Sequence, residues 1–378
     1  MSTGMTAAYG ITLHGLMVVL SLLAYVVASH AFNHRRHPTA AIAWVFFILL
    51  VPYVALPSFL VFGSRKQPRP LLLPSPEPSS STAPWAIRAI AGLGQPAPAT
   101  YRELFVHAGG VEAMSALWRV IDGAVESIDI CTFIIGNDPI GESVVARLVA
   151  KAKAGVRVRL LVDGMGRLMH RPPDLSPLVD AGARFAVFVP PLRLPIRARA
   201  NLRDHRKMVI ADAGRPDRRL WSGGRNLAGE YFEGVRGEAP WHDLTFDVGG
   251  NIVLQAAALF ERDWAYGNGE TVETAPRIRA KVVDALAHCC AQMVASGPDE
   301  VEDTIQTVLV SGAYQAERRI VMVTPYFVPD ASLLTALCMA ALRGVTVELL
   351  IPARSNHRMS DIARRRALRA LAHAGGHV

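Results

Sequence analysis

The same order of sequence patterns occurs twice in this chain, and this internal repeat restricts the fold more than any other feature. The first copy predicts a strand, a helix and a strand over residues 127–135, 143–154 and 156–162. The second copy predicts the same elements over residues 319–324, 332–342 and 345–351. A glycine ends each helix, and these two glycines, Gly155 and Gly344, lie about 190 residues apart. Two βαβ units at this distance indicate a duplicated α/β fold, in which a site is expected between the halves.

Two apolar stretches precede the repeat. Residues 11–32 and 39–62 are each long enough to cross a hydrocarbon layer of about 30 Å as a helix. A short basic turn, residues 33–38, separates them, so we predict a transmembrane helical hairpin. A cleaved signal peptide is the alternative for the first stretch, but no basic segment precedes it and a second apolar stretch follows at once.

These features divide the chain into four predicted segments. They are a membrane anchor over residues 1–63, a proline-rich linker over 64–100, a first α/β half over 101–270 and a partial second half over 271–378. Basic residues that follow the second apolar stretch favour a cytoplasmic position for the catalytic part.

Charge and cysteine content exclude few functions. The chain has 40 Lys and Arg residues against 32 Asp and Glu residues, a formal net charge of +8. This balance suits an anionic lipid surface or a phosphate-bearing substrate, although an ordinary basic protein would share it. The four cysteines have no C-x-x-C spacing and no histidine at a ligand offset, so we predict no metal site.

The segment that carries chemistry contains His205, Lys207 and Asp212, with the spacing H-x-K-x4-D. On a strand, His205 and Lys207 would point to the same face, so that an imidazole and an ammonium converge on one phosphate. A neutral imidazole can attack phosphorus to give a phosphohistidine, while Lys207 neutralises the charge on the phosphate oxygens. Asp212 closes the strand. The plainer interpretation is a strand with surface His and Lys side chains followed by a turn.

A glycine-rich turn follows this motif and favours the catalytic interpretation. Gly223 and Gly224 let the backbone approach a ligand closely, and Asn226 could donate a further hydrogen bond to phosphate oxygens. We therefore predict that these three residues bind substrate and that His205, Lys207 and Asp212 are catalytic.

This motif resembles the first HKD motif of the phospholipase D superfamily, and nearly the whole chain resembles the bacterial cardiolipin synthases. Segments similar to that family are 241–243, 260–264, 296–299 and 324–330. The resemblance implies transfer of a phosphatidyl group between two phosphatidylglycerol molecules, which gives cardiolipin and glycerol without metal, ATP or another cofactor. It also implies a multi-pass protein of the bacterial inner (cell) membrane, with phosphatidylglycerol and other anionic phospholipids as partners.

The sequence departs from that family in one respect, because it contains a single H-x-K-x4-D motif. In the family two such motifs meet at one site, and one histidine is the nucleophile while the other protonates the leaving alcohol. The repeat predicts a second histidine near position 398, and His357 has a methionine where the lysine is required. A truncated gene product, a homodimer that pairs two single motifs, and a non-catalytic membrane-bound remnant are the competing explanations. We favour truncation because the second half is present up to the expected motif.

One further enzymatic alternative uses the same motif. A phospholipase D-type hydrolase or a nuclease would use water as the acceptor of the phosphoryl group. The predicted membrane hairpin favours lipid over nucleic acid, and the sequence has no aromatic and basic stripe of the kind that binds single strands.

Overall fold

The computed structural model describes residues 2–31, 38–62, 83–190, 202–235, 237–270, 289–297 and 303–378. Residues 33–37 of the predicted basic turn and residues 64–82 of the predicted linker lie outside this part of the chain. The described residues fall into two compact units. The first lies within 1–71, 98–293 and 297–301, and the second within 72–97, 294–296 and 302–378.

Three helices begin the first unit, namely α1 (Ser2–Ala31), α2 (Pro38–Leu50) and α3 (Pro52–Phe62). The second predicted membrane helix is therefore two helices of 13 and 11 residues, which is a correction to the sequence prediction. The break falls at Val51, because Pro52 lacks an N–H group and its ring disfavours a helical residue before it. Among the described residues, no helix combines the length and the hydropathy that a membrane span requires.

The three helices form a small apolar core of their own. It contains Tyr25, Ile48, Ala55 and Phe59, and the rings of Tyr25 and Phe59 lie 4.9 Å apart. Large apolar side chains also cover the outer surface of the same helices. The most exposed are Leu13, Leu16, Val19, Leu23, Val26, Val27, Ile42, Phe46, Leu50 and Val54.

The rest of the first unit is a mixed sheet with helices on both faces. Its strands are β1 (Ala99–His107), β2 (Ser127–Thr132), β3 (Arg157–Asp163), β4 (Arg184–Phe188), β5 (Met208–Ala211), β6 (Arg219–Gly223), β7 (Thr245–Gly250) and β8 (Cys290–Ala291). Its helices are α5 (Gly110–Gly123), α6 (Pro139–Lys153), α7 (Gly164–Met169), α8 (Ser176–Asp180) and α9 (Ile252–Asn268). In the described residues the strand order is β4-β3-β2-β5-β6-β7-β1-β8.

Strand direction changes in the middle of this sheet. Strands β2, β3 and β4 are parallel, whereas β5 pairs with β2 in the antiparallel direction. Apolar side chains of β2, such as Ile128 and Ile130, pack into the main core with α5 and α6. The alternate residue Asp129 faces the other side, where it bonds to Arg159. The βαβ unit predicted over residues 127–162 is thus present, with its strands parallel.

The second unit repeats this order of elements. It contains α4 (Trp85–Gly92), α10 (Thr304–Gln315), β9 (Arg319–Val323), α11 (Ala331–Leu342), β10 (Thr346–Leu350) and α12 (Arg358–His373). Strands β9 and β10 are parallel, as the sequence predicts. Gly155 after α6 and Gly344 after α11 have φ values of +89° and +88°, a conformation that favours glycine and ends both helices. Helix α4 lies within the segment 64–100 that the sequence predicts as linker.

Candidate active site

The candidate site lies where the chain enters β5. Residues 202–207 form no regular element and lead directly into this strand. Because β5 is antiparallel to β2, its first residue lies beside the carboxyl end of β2, where Met208 pairs with Cys131. His205 and Lys207 therefore stand just before β5, whereas the sequence prediction puts them on the strand itself.

The imidazole of His205 is the candidate nucleophile. The residue as a whole is exposed, while its ring packs against the ring of Phe133 with a centroid distance of 4.9 Å. Surrounding protein atoms displace water from the ring, and the charge of Lys207 acts in the same direction, so the pKa of His205 falls to about 4. The imidazole is therefore neutral at neutral pH, which leaves a nitrogen lone pair available for attack.

Lys207 supplies a cation beside this imidazole. Its side chain is buried, and its Nζ donates a hydrogen bond of 2.7 Å to the carbonyl oxygen of His205. The Nζ also lies 5.5 Å from the ring centroid of Phe133, so both candidate groups contact one aromatic ring. Burial lowers the pKa of Lys207 to about 8, and the negative charges of the neighbouring Asp204 and Asp243 oppose that fall. The ammonium thus stays charged at neutral pH.

Carboxylates fix the backbone around the nucleophile. Asp163 is the last residue of β3, and it accepts a 2.9 Å hydrogen bond from the N–H of Asp204. The same carboxylate accepts from the N–H groups of Met165 and Gly166 at 2.8 and 3.2 Å, which caps α7. Asp204 in turn accepts a 3.0 Å bond from the N–H of Arg206. His205 is therefore held between two residues whose backbone positions are set by hydrogen bonds.

One group of buried donors stands close enough together to be compared with a metal site. Within the described residues, donor atoms of Cys131, Asp204 and Asp263 lie within 4.8 Å of one another. These donors already bond within the protein, since the Cys131 thiol donates to Asp204 and the Arg206 guanidinium pairs with Asp263. Burial raises the pKa of Cys131 well above its usual range, so the thiol stays protonated. We assign this group to the support of the 202–207 segment.

Asp212 stands at the opposite end of β5 from Lys207. The two residues are five positions apart in an extended chain, a distance of roughly 16 Å. The carboxylate of Asp212 accepts hydrogen bonds from the N–H groups of Val125, Glu126 and Ser127 at 2.9, 2.6 and 2.8 Å. Its φ of +54° puts it in the left-handed region, which Asp tolerates better than most residues. The structure thus brings Asp212 to the turn before β2 and not to His205.

Close contacts leave no space for a side chain at Gly223 or Gly224. Gly223 has a φ of +151°, and a Cβ there would overlap the carbonyl oxygen of Leu244. A Cβ on Gly224 would overlap the carboxylate of Asp243. The register pairs Ser222, the preceding residue, with Met208, so this turn lies beside the start of β5. Both glycines therefore lie next to the candidate site, and their binding of substrate stays a prediction.

Asn226 has protein partners on both ends of its buried amide. Its Oδ1 accepts a 3.2 Å hydrogen bond from the N–H of Ile134, and its Nδ2 donates a 2.8 Å bond to the hydroxyl of Tyr231. These bonds fix the turn that follows β2 and carries Phe133. One N–H of the amide remains for the ligand contact that the sequence prediction gives it.

Sequence reasoning missed three residues of this site. Phe133 gave no signal beyond its place after a strand, and Asp243 gave none beyond its place in the segment 241–243. Asp243 is one of the acidic groups that favour the charged form of Lys207. Asp163 could have been found, since polar residues at the carboxyl ends of parallel strands commonly gather at a site.

The fold and this arrangement define a phospholipase D-like domain. The family model described as "Cardiolipin synthase, PLD-like domain" matches residues 117–264 and 310–378. The chain belongs to this cardiolipin synthase family of phospholipase D-like proteins, which confirms the resemblance found in the sequence.

The chain is also similar to two curated relatives and to one solved structure. The chain is 30% identical to cardiolipin synthase A of Pseudomonas putida (strain W619), over 90% of this chain and 74% of that protein. It is 28% identical to cardiolipin synthase A of Pseudomonas entomophila (strain L48), over 91% of this chain and 75% of that protein. The phosphatidylserine synthase of Haemophilus influenzae Rd KW20 superposes with a TM-score of 0.49 and 16% identity, over 73% of this chain and 70% of that chain.

Proposed function

We propose that this chain transfers a phosphatidyl group from one phosphatidylglycerol molecule to another, which forms cardiolipin and releases glycerol. The observation that carries the proposal is the neutral, exposed imidazole of His205 beside the buried ammonium of Lys207. The family assignment and the names of its curated relatives support the choice of substrate.

The first step forms a covalent intermediate. A nitrogen of His205 attacks the phosphorus of the donor lipid, a P–N bond forms, and the P–O bond to the glycerol headgroup breaks. The departing glycerol oxygen takes up a proton from water. Lys207 and the remaining amide N–H of Asn226 stabilise the negative charge on the phosphate oxygens. Gly223 and Gly224 let the adjoining turn pack closely on Leu244 and Asp243 beside this site. Asp212 acts at a distance, by holding the turn before β2.

The second step returns the enzyme to its starting state. A headgroup hydroxyl of the second phosphatidylglycerol attacks the phosphorus, its proton passes to water, and the P–N bond to His205 breaks. Metal ions and other cofactors have no part in this scheme, because the imidazole is the nucleophile and the lysine is the cation. Water in place of the second lipid would give the hydrolase alternative.

Helices α1–α3 supply the lipid contact in this proposal. Their exposed side chains include Val19 at 62%, Leu23 at 59% and Phe46 at 60% of their full surface, an apolar area that soluble proteins seldom leave in water. We place the protein at the bacterial inner (cell) membrane with the catalytic unit on the cytoplasmic side. Membrane flotation of the full chain, compared with a chain that starts at residue 83, tests this placement.

The catalytic proposal is tested by trapping the intermediate. The full chain in detergent is mixed with short-chain phosphatidylglycerol labelled at phosphorus, quenched in alkali and analysed by peptide mass spectrometry. We expect a phosphatidyl group on His205. His205→Ala should abolish the label, and His357→Ala, which alters an exposed histidine of the second unit, should leave it unchanged.

Lipid analysis of cardiolipin-deficient bacterial cells then separates the two steps. Cardiolipin from the chain but not from its His205→Ala variant would support phosphatidyl transfer, and phosphatidic acid alone would support the hydrolase. Label on His205 without either product would show that only the first step occurs. The mass of the protein in detergent tests the homodimer that the sequence leaves open.

A further inference from the structure

A polar cavity opens on the first unit between α7 and α8, and the reaction scheme does not use it. It has a volume of about 850 Å³, within the range of small-molecule sites. Its walls come from α7, α8 and the chain between them, with contributions from Asn137 and Phe185. Arg167, Arg171, Asp174 and Asp180 bring charge to it. We call it the Arg167 cavity.

The Arg167 cavity is tied to the nucleophile by two contacts. The carboxylate of Asp163 accepts from the N–H of Gly166 and from the N–H of Asp204, and these residues directly precede Arg167 and His205. Gly166 also packs so closely on the carbonyl oxygen of Phe133 that a Cβ would overlap it. The ring of Phe133 is the one that contacts His205. The wall of the cavity and the nucleophile therefore share a rigid support.

The charges of the cavity match a particular kind of ligand. Two guanidinium groups suit a phosphodiester, because each presents paired N–H donors to phosphate oxygens. Arg167 is steadied by the ring of Phe185, 5.5 Å from its Cζ. Asp174 and Asp180 would repel a phosphate taken alone, but their carboxylates accept hydrogen bonds from hydroxyl groups. A ligand that contains both a phosphate and a polyol would match the arginines with its phosphate and the aspartates with its hydroxyl groups.

Apolar side chains beside the cavity indicate that this ligand is a lipid. Leu168 and Met169 follow Arg167 on α7 and are 66% and 65% exposed, and Val179 on the wall is 49% exposed. Apolar groups of this size next to a polar cavity are typical of a surface that meets acyl chains while the headgroup enters the pocket.

We propose that the Arg167 cavity binds the headgroup of the second phosphatidylglycerol, the acceptor, through its phosphate on Arg167 and Arg171 and its glycerol hydroxyls on Asp174 and Asp180. The proposal rests on the proposed function, because it names the site of the second substrate. A headgroup held there has its hydroxyl one glycerol away from its own phosphate. The Asp163 carboxylate bonds both to the helix that carries Arg167 and to the segment that carries His205. Attack of that hydroxyl on phosphatidyl-His205 forms the new P–O bond, breaks the P–N bond and releases the hydroxyl proton.

A binding measurement tests the cavity without requiring turnover. Titration calorimetry is carried out on the full chain carrying His205→Ala and Lys207→Ala, which removes the donor-phosphate contacts. The probe is dihexanoyl phosphatidylglycerol below its micelle concentration. Arg167→Gln with Arg171→Gln should weaken binding by at least about tenfold, because two charge-assisted phosphate contacts are lost. Arg215→Gln, an exposed arginine in an ion pair with Asp217, is the matched control and should change binding by less than about twofold.

Two comparison ligands identify what the cavity recognises. Dihexanoyl phosphatidylmethanol lacks the polyol and should bind more weakly than phosphatidylglycerol, and Asp180→Asn should reduce that difference. Equal binding of inorganic phosphate and phosphatidylglycerol would overturn the lipid assignment, and unchanged binding in the double arginine variant would overturn the site. Failure of the proposed function would be seen in a different experiment, as the absence of label on His205 after trapping. Far-ultraviolet circular dichroism confirms that each variant is folded.

Discussion

Substitution of Asp212 separates a structural role from a catalytic one. Its carboxylate bonds to three consecutive backbone N–H groups, those of Val125, Glu126 and Ser127. A hydrogen bond to a charged group contributes about 1.5–3 kcal/mol, but the donors at Val125 and Glu126 belong to exposed residues and can turn to water. Only the donor at Ser127 is left buried. We therefore expect Asp212→Gly to lower the free energy of unfolding by about 3 kcal/mol.

Two other substitutions at this position give a ranking. Asp212→Asn keeps one acceptor oxygen and tolerates the left-handed backbone, so it should cost about 1–2 kcal/mol. Asp212→Ala loses the acceptor and also strains a backbone with a φ of +54°. It should therefore cost about 1 kcal/mol more than Asp212→Gly. The order of stability should be Asp, Asn, Gly, Ala.

The assay is urea unfolding of the full chain in detergent, followed by tryptophan fluorescence and linear extrapolation. Buried Trp221, which lies on β6 next to β5, reports on this region. In parallel, the rate of phosphatidyl-His205 formation is measured where each variant is folded, and it should stay within a few-fold of the parent. An Asp212→Asn chain with unchanged stability and no label would refute the reasoning and make Asp212 catalytic.

Three further results are expected. The rate of phosphatidyl-His205 formation should be nearly constant between roughly pH 5 and pH 7 and fall above pH 8. In the constant range His205, with a pKa of about 4, is neutral, and above it Lys207, with a pKa of about 8, loses its charge. A rise above pH 8 would contradict this. Gly223→Ala should lower the free energy of unfolding by about 3 kcal/mol or more in urea, since its Cβ meets backbone, and stability within 1 kcal/mol of the parent would count against it. Asn226→Ala should lower the free energy of unfolding by about 2 kcal/mol and also lower the labelling rate of His205. The reason is the loss of two buried hydrogen bonds that hold the turn after β2. An unchanged labelling rate would show that this turn does not position the site.

Local patterns in the sequence were enough to predict the two βαβ units. Strand β9 and helix α11 end within a residue or two of their predicted bounds. Larger differences have identifiable causes. Helix α6 begins at Pro139, four residues before the prediction, because Asp138 caps it by accepting from the N–H groups of Ile140 and Gly141. Strand β2 ends at Thr132, three residues early, because Asn226 bonds to the N–H of Ile134 and turns the chain.

Contacts between distant parts of the chain were beyond reach of the same patterns. The spacing of His205 and Lys207 predicted that both groups meet one ligand, and the structure places both against Phe133. Nothing in the spacing shows that the partners of Asp212 are backbone groups 85 to 87 positions earlier. The role of a carboxylate depends on which donors the fold brings to it, and that information is not local.

The two members of the candidate pair have different environments, and the chemistry needs this difference. A nucleophile must reach a lipid headgroup, so His205 is exposed, whereas a cation stabilises phosphate charge more strongly where water is excluded, and Lys207 is buried. Different neighbours set the protonation state of each group. The loss of water around the His205 ring, together with the positive charge of Lys207, keeps the imidazole neutral and ready to attack. The acidic neighbours of Lys207 keep its ammonium charged despite burial. One short segment before β5 thus maintains both protonation states at the same pH, and Asp163 connects that segment to the wall of the Arg167 cavity.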